Sequence, residues 1–410
     1  MMSTFVEHTL PNGLRVVCEV MPRVSSAALG FFVQTGSRHE QQPEHGVSHF
    51  LEHMCFKGTH KRDWREINVR FDELGSIYNA FTSKEHTVYY GWVPAARMSP
   101  QLELLADMMR PSLPPGDFDM DRNVILEEIA MSADNFDHHV WNFLHQVAFG
   151  DHPLAHEVLG EKETIAGMPR DLMADYLARR YAPGNLTLLA AGAIEPEAVF
   201  AAAARWCEQW PRQGRNGHTA QTPPPPLPGG THALRLTQFQ QQAVIELFPS
   251  VPQAHPTSES IEAFVALFGG QNSRCYWNVV QKGVCTHAGA AWLSYADCGV
   301  MALYAIGEPS RADEMREALR AQAASVVADG FTDSEVQRVL NRRRTQLALE
   351  GESPRTRLMQ LVDDIELYGY PRPPAARLAA VEQVTRRTIA DYLRQYPITS
   401  GGTLITCGAG

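Results

Sequence analysis

No stretch of this 410-residue chain stays apolar long enough to cross a bilayer. The longest candidates, "AALGFFV" (27–33) and "LTLLAAGAI" (186–194), have the length of core strands and end in polar or turn residues. The start, "MMSTFVEHTLPNGLRVV", lacks the basic n-region and apolar h-region of a signal peptide. These absences lead us to expect a cytoplasmic protein with no membrane partner. Cysteine pairing is missing too: seven cysteines, an odd number, show no CxxC pair and no regular framework. In a chain too long to need staples they are expected to be buried, reduced thiols. Positive charge is in deficit, with 36 Lys and Arg against 46 Asp and Glu and no long basic run, so nothing favours a nucleic acid as partner. Neither GxxxxGK[ST] nor GxGxxG occurs, which argues against nucleotide chemistry.

What is present is a globular composition, 44% hydrophobic and 20% charged, in a chain long enough for two cores. The clearest break is "PRQGRNGHTAQTPPPPLPGGTH" (211–232), whose four consecutive prolines and Gly-Gly cannot sustain helix or sheet. It divides the chain into a first domain, 1–210, and a second, 233–410. The two look like distant copies. In the first, the strand-like "SSAALGFFVQTG" (25–36) leads to a short helix and then to the paired strands "SIYNAFT" and "HTVYYGWV". In the second, "QQAVIELFPS" (241–250) leads to the helix-like "SESIEAFVALFGG" (258–270), then "THAGAAWLS" and "GVMALYAIG". The expected fold class is α+β: two homologous domains, each a mainly antiparallel sheet with helices packed on one face.

The short helix of the first half holds the chemistry. In "HGVSHFLEHMCFKGT" (45–59), positions i, i+3 and i+4 of a helix share a face, so His49, Glu52 and His53 point together while Phe50, Leu51 and Met54 lie elsewhere. Two imidazoles at i and i+4 can bind one metal through neutral nitrogens, and zinc then needs a third protein ligand. Glu52 is placed to accept a proton from the attacking water instead of ligating, the H-x-x-E-H arrangement of a metallopeptidase. A surface helix with two solvated histidines would read the same way from these residues alone. A third ligand should come from a separate helix, and "DMDRNVILEEIAMSADN" (119–135) offers Glu127 and Glu128 on an otherwise apolar, helix-period stretch. Adjacent residues on a helix point about 100° apart, so only one of the two can face the metal easily.

The chain resembles the pitrilysin, or insulinase, family of zinc peptidases, in particular the branch containing mitochondrial processing peptidase and bacterial relatives of this length. The resemblance runs almost end to end, through "TLPNGLRVV", "TGSRHE", "HGVSHFLEHMCFKGT", "YNAFTSKEHTVYY", "RNVILEEIAMSADN", "HPLAHEVLGEKETI" and "YLARRYAPGNLTLLAAGAI". It implies one Zn2+ per chain, held by His49, His53 and Glu128, the last standing 75 positions after His53 (128 minus 53). It also implies an acidic residue seven positions before that ligand, supporting the site from behind; here the position is Asp121, equally readable as an ordinary acid near a helix N-terminus.

The family lays substrate on an edge strand that "YNAFT" (78–82) matches, with Asn79 hydrogen-bonding the peptide and the small Ala80 letting the backbones approach. Relatives usually add an arginine and, seven residues later, a tyrosine that bind substrate carbonyls. At the matching positions stand Val279 or Val280, and Thr286 or His287, so the pair is missing. Either Lys282, His287 or Tyr276 substitutes, or a homologous partner chain supplies the pair; the partner is favoured because valine has no donors to replace a guanidinium, and a heterodimer is expected over a homodimer. Two other patterns carry less. His138, His139 and His145 in "DHHVWNFLHQ" are expected to be solvated or satisfied within the fold, and Cys285 with His287 lacks an orienting third group. The expectation is therefore a zinc endopeptidase for short or unfolded peptides with Glu52 as general base. The alternative is a non-catalytic structural or substrate-presenting subunit.

Overall fold

The computed structural model describes residues 4–212 and 223–409. Among them the strands form two sheets. The first has six strands, β1 (Thr4–Thr9), β2 (Arg15–Val20), β3 (Ser26–Val33), β4 (Ile77–Thr82), β5 (Thr87–Pro94) and β6 (Leu186–Gly192), in the order β1-β2-β6-β3-β5-β4. The second has five, β7 (Thr231–Arg235), β8 (Gln242–Ser250), β9 (His287–Ser294), β10 (Gly299–Gly307) and β11 (Thr403–Gly408), in the order β7-β11-β8-β10-β9. Only β2–β6 and β7–β11 pair in parallel. The α+β class and mainly antiparallel sheets expected from the sequence are what the chain forms. The repeat is visible as well. In each half an inner strand (β3 or β8) leads to a helix (Val47–Met54 or Ser258–Gly269), a hairpin (β4–β5 or β9–β10) and a further helix (Met98–Met108 or Ala312–Asp329).

Helices close both faces of each sheet, not one. Alternate residues of β3 show this directly: Ala27, Leu29, Phe31 and Val33 enter one core with Phe50, Leu51 and Met54, whereas Ala28 and Phe32 enter another with Leu358, Leu361, Val362 and Ile365. A strand buried on both faces reads as a continuous apolar run, as "AALGFFV" does. The second covering helix, Pro354–Tyr368, comes from the far end of the chain. It carries a buried arginine, Arg357, whose Nε donates to both carboxylate oxygens of Glu19 on β2 at 3.0 and 2.9 Å. The second sheet is covered in the reciprocal way by Phe136–Phe149 from the first half, through Phe136, Val140, Leu144 and Phe149 against Ile245, Leu247, Val300 and Ile405.

The compact units are accordingly discontinuous: residues 1–132, 156–221 and 349–373 form one, and residues 133–155, 222–348 and 374–410 the other. The contiguous halves 1–210 and 233–410 each lend a helix to the other unit. Of the connector expected over 211–232, residues 213–222 lie outside the described residues, and its last two residues already belong to β7.

Candidate metal centre

The helix Val47–Met54 is only eight residues long, too short to persist on its own propensity, so its surroundings must hold it. Val47, Phe50, Leu51 and Met54 are fully buried, and Phe50 stacks on Phe118 of the helix Pro115–Ser132 with centroids 4.6 Å apart. Glu40 satisfies the helix start, accepting the Gly46 N–H on Oε2 at 2.7 Å and the Ser48 N–H on Oε1 at 2.8 Å. Burial pushes the Glu40 carboxyl up to about 8, although Ser48 and Gly46 donate to it. Ser48 Oγ also meets the Tyr176 hydroxyl at 2.7 Å. Gly46 itself is left-handed, with φ 91°, and a Cβ there would stand 2.8 Å from the Leu159 carbonyl oxygen, so no other residue fits.

Held in this way, the helix turns His49, Glu52 and His53 to its half-buried face. Glu128 arrives from Pro115–Ser132, its Oε2 4.0 Å from His49 Nε2 and 3.9 Å from His53 Nε2. The three potential donor atoms lie within 4.8 Å of one another, the one such group of three or more His, Cys, Asp and Glu among the described residues. Tetrahedral ligands at about 2.1 Å from a zinc ion stand roughly 3.4 Å apart, so Glu128 fits such an ion after drawing in by about half an ångström toward each histidine. Of the two adjacent acids, Glu127 is exposed and Glu128 is the one in this group.

The two histidines titrate in opposite directions from the ordinary value. Burial, then the charge of His53, pushes His49 down to about 4, leaving a neutral imidazole near pH 7. Its Nδ1 is buried with no hydrogen-bond partner. For His53 burial acts downward, but the hydrogen bond and charge of Asp121, with Glu128 and Glu52, outweigh it and raise the pKa. Asp121 sits seven residues before Glu128, hence on the same helix face. Its Oδ2 is 3.2 Å from His53 Nδ1 and its Oδ1 is 2.6 Å from Lys57 Nζ, and the residue is 1% exposed. Nδ1 of His53 thus faces the Asp121 carboxylate, while Nε2 faces Glu128.

Glu52 stands apart from the donor cluster. Its Oε2 accepts the Thr82 hydroxyl at 2.6 Å, and burial raises its pKa against that bond. Thr82 ends β4, the edge strand of the first sheet, where Asn79 is exposed and Ala80 is buried. The backbone N–H of Ala80 is taken by Asn79 Oδ1 at 2.9 Å.

Of the other residues singled out from the sequence, none joins a second cluster of this kind. His145 bridges the Trp141 carbonyl and the Tyr295 hydroxyl, His138 meets Asn142, and His139 meets the Ala133 carbonyl, so all three are satisfied. Six of the seven cysteines are buried and Cys298 is partly exposed; burial pushes Cys18, Cys55, Cys207 and Cys275 up to about 12. At the positions of the missing Arg/Tyr pair, Val279 is fully buried and His287 is exposed at the start of β9. Sequence reasoning missed Glu40, Lys57 and Thr82. All three stand inside stretches already quoted, but the groups they meet lie elsewhere in the chain.

Comparison with known proteins says which family this fold and this cluster of side chains go with. The profile described as insulinase (peptidase family M16) matches residues 15–162, and that described as the peptidase M16 inactive domain matches residues 168–343. The chain is similar to the uncharacterized zinc protease YmxG of Bacillus subtilis, 30% identical over 86% of this chain and 85% of the relative. It is also similar to an uncharacterized zinc protease of Mycobacterium tuberculosis, 31% identical over 92% of this chain and 87% of the relative. The chain belongs to peptidase family M16. In fold it matches the crystal structure of a protease from Helicobacter pylori with a TM-score of 0.93 at 20% identity, covering 100% of both chains. A peptidase M16 inactive domain from Pseudomonas fluorescens matches with a TM-score of 0.90 at 15% identity, over 99% of this chain and 98% of that one.

Proposed function

We propose that this chain is a zinc-dependent metalloendopeptidase acting on short or unfolded peptides. The observation that carries the reading is the convergence of His49 Nε2, His53 Nε2 and Glu128 with a separate, anchored carboxylate, Glu52, one position before His53. His49, His53 and Glu128 would hold Zn2+, the metal named in the relatives' descriptions. When bound, the ion supplies Lewis acidity to the scissile carbonyl and to the attacking water. Glu52 takes the proton of that water and passes it to the leaving amine. Asp121 holds His53 in the tautomer that leaves Nε2 free to ligate, and Lys57 holds Asp121.

The peptide adds to the outer edge of β4. To pair with the Ala80 N–H, a substrate carbonyl displaces Asn79 Oδ1, which frees the Asn79 carboxamide to bond the peptide in turn. Main-chain pairing of this kind holds extended chains with little demand on sequence. A homologous second subunit supplies the missing Arg/Tyr pair, because Val279 is buried and offers no donor. No helix among the described residues is long and apolar enough to cross a membrane.

The test is hydrolysis of an internally quenched, unstructured peptide by the purified chain, alone and mixed with a homologous chain encoded beside it. Cleavage that appears or rises at least tenfold on mixing is the expected result. Full activity from the single chain would refute the borrowed pair. No cleavage under either condition would favour the non-catalytic subunit.

A further inference from the structure

Nothing in H-x-x-E-H says what aims the glutamate. On this helix Glu52 occupies the position between the two histidine-bearing turns, and a glutamate has three side-chain torsions to fix. Among the described residues one side chain hydrogen-bonds it: Thr82, whose hydroxyl donates to Oε2 at 2.6 Å. That length is typical of an O–H donating to a carboxylate rather than to a neutral acceptor. Oε1 accepts no hydrogen bond from the described residues.

The strand geometry shows how Thr82 comes to be there. On β4, Tyr78, Ala80 and Thr82 alternate to one face and Ile77, Asn79 and Phe81 to the other. Tyr78 confirms the direction, stacking on Phe71 with centroids 3.7 Å apart and donating to Asn68 Oδ1 at 2.7 Å. Thr82 is thus the last residue of β4 on its helix-facing side. The hairpin tip beyond it is tied from three directions. Lys84 Nζ donates to the His156 carbonyl at 2.6 Å, Glu85 pairs with Arg38 at 2.5 Å, and His86 Nδ1 meets Glu366 Oε1 at 2.7 Å. Neighbouring Thr87 donates to the Thr35 carbonyl at 2.9 Å and makes only a longer contact, 3.4 Å, with the Thr82 hydroxyl oxygen. The donor is therefore pinned in place, as a group that must orient another side chain has to be.

We propose that Thr82 is the positioning residue of the general base. Its hydroxyl holds Oε2 and so fixes the plane of the Glu52 carboxylate, presenting Oε1 to the proton of the attacking water. This rests on the reading of Glu52 as the base. It adds that the edge strand receiving the peptide also aims the group that acts on it.

The inference is tested by steady-state cleavage with the Thr82→Val and Thr82→Ser variants of the full chain, in whichever assembly shows wild-type activity. Zinc content is measured alongside. Valine keeps the branched shape and strand preference and removes only the donor; serine keeps the donor. Thr82→Val is expected to lower kcat by about 10- to 100-fold, reaching only the lower end of what general acid–base catalysis contributes because the base itself is kept, with KM within about twofold. Thr82→Ser is expected to stay within about threefold of wild type, and all three proteins to hold one zinc per chain. A Thr82→Val kcat within twofold of wild type, or a serine variant as impaired as the valine one, overturns the assignment and leaves the peptidase reading intact. A wild-type protein that cleaves nothing overturns both.

Discussion

Asp121 is the residue whose replacement reports most directly on how the metal histidines are set. It is 1% exposed, and each of its oxygens has one cationic or N–H neighbour: His53 Nδ1 at 3.2 Å and Lys57 Nζ at 2.6 Å. In Asp121→Asn a single carbonyl oxygen remains, so it serves His53 or Lys57 but not both, and the amide NH2 meets a donor on the other side. Lys57 is about one-third exposed and can turn to water, which leaves the oxygen to His53. The tautomer is then kept and only the charge is lost. Asp121→Leu, of similar size, removes the acceptor altogether and frees the ring to adopt either tautomer. Loss of such an outer partner costs about 10- to 100-fold in metal affinity. We assign the lower end, about 1.4 kcal/mol, to asparagine and the upper end, about 2.7 kcal/mol, to leucine. Competition for zinc against a chromogenic chelator measures both, with circular dichroism as the control for folding. If the folded leucine variant bound zinc within twofold of wild type, Asp121 would have no part in orienting His53.

Other perturbations separate the remaining roles. Glu52→Gln should keep zinc and lose about a thousandfold in cleavage rate, since the amide cannot take the proton; a variant that lost its metal instead would make Glu52 a ligand. Arg357→Met leaves Glu19 charged and unpaired between β2 and the helix Pro354–Tyr368, where both side chains are 1% exposed, and should cost about 3–5 kcal/mol in urea unfolding. The double replacement with Glu19→Met should recover most of that, and no recovery would mean the pair is not what the single variant breaks. For His86, burial lowers the pKa but the bond to Glu366 and the nearby acids raise it further, to a net value above the ordinary 6.5. The folded state therefore binds the proton more tightly, and the contribution is full below about pH 6.5 and is lost as pH rises through the folded pKa. The difference in melting temperature between wild type and His86→Gln should accordingly be largest near pH 6 and shrink in alkali; a difference that grew with pH would refute the pair.

Much of the site could be read from the chain because its parts obey local periods. His49, Glu52 and His53 follow from 3.6 residues per turn and the chemistry of neutral imidazoles, and Asp121 falls behind Glu128 because seven residues make two turns. The choice of Glu128 over Glu127 needed either a familial spacing or the actual rotation of the helix. The expected repeat of strand, helix and hairpin rests on the order of strand-like and helix-like stretches in each half, which is local too. What stayed hidden was pairing across the fold. Phe136, Val140 and Leu144 announce a buried helix face but not which sheet it covers, and the same is true of Leu358, Leu361 and Ile365. For that reason contiguous halves were the natural reading, whereas the chain exchanges a helix between its units. Thr82 looked like an ordinary strand residue because the carboxylate it serves lies thirty positions earlier on another element.

The central claim is that three side chains hold the metal and a fourth does the proton transfer. It is tested most directly by measuring bound zinc and peptide cleavage together on wild type, His53→Ala, Glu128→Gln and Glu52→Gln. The account predicts one zinc per chain with cleavage in wild type, weakened zinc and no cleavage for His53→Ala and Glu128→Gln, and one zinc without cleavage for Glu52→Gln. Stoichiometric zinc of undiminished affinity in the His53 or Glu128 variants, or cleavage surviving in Glu52→Gln, would contradict it.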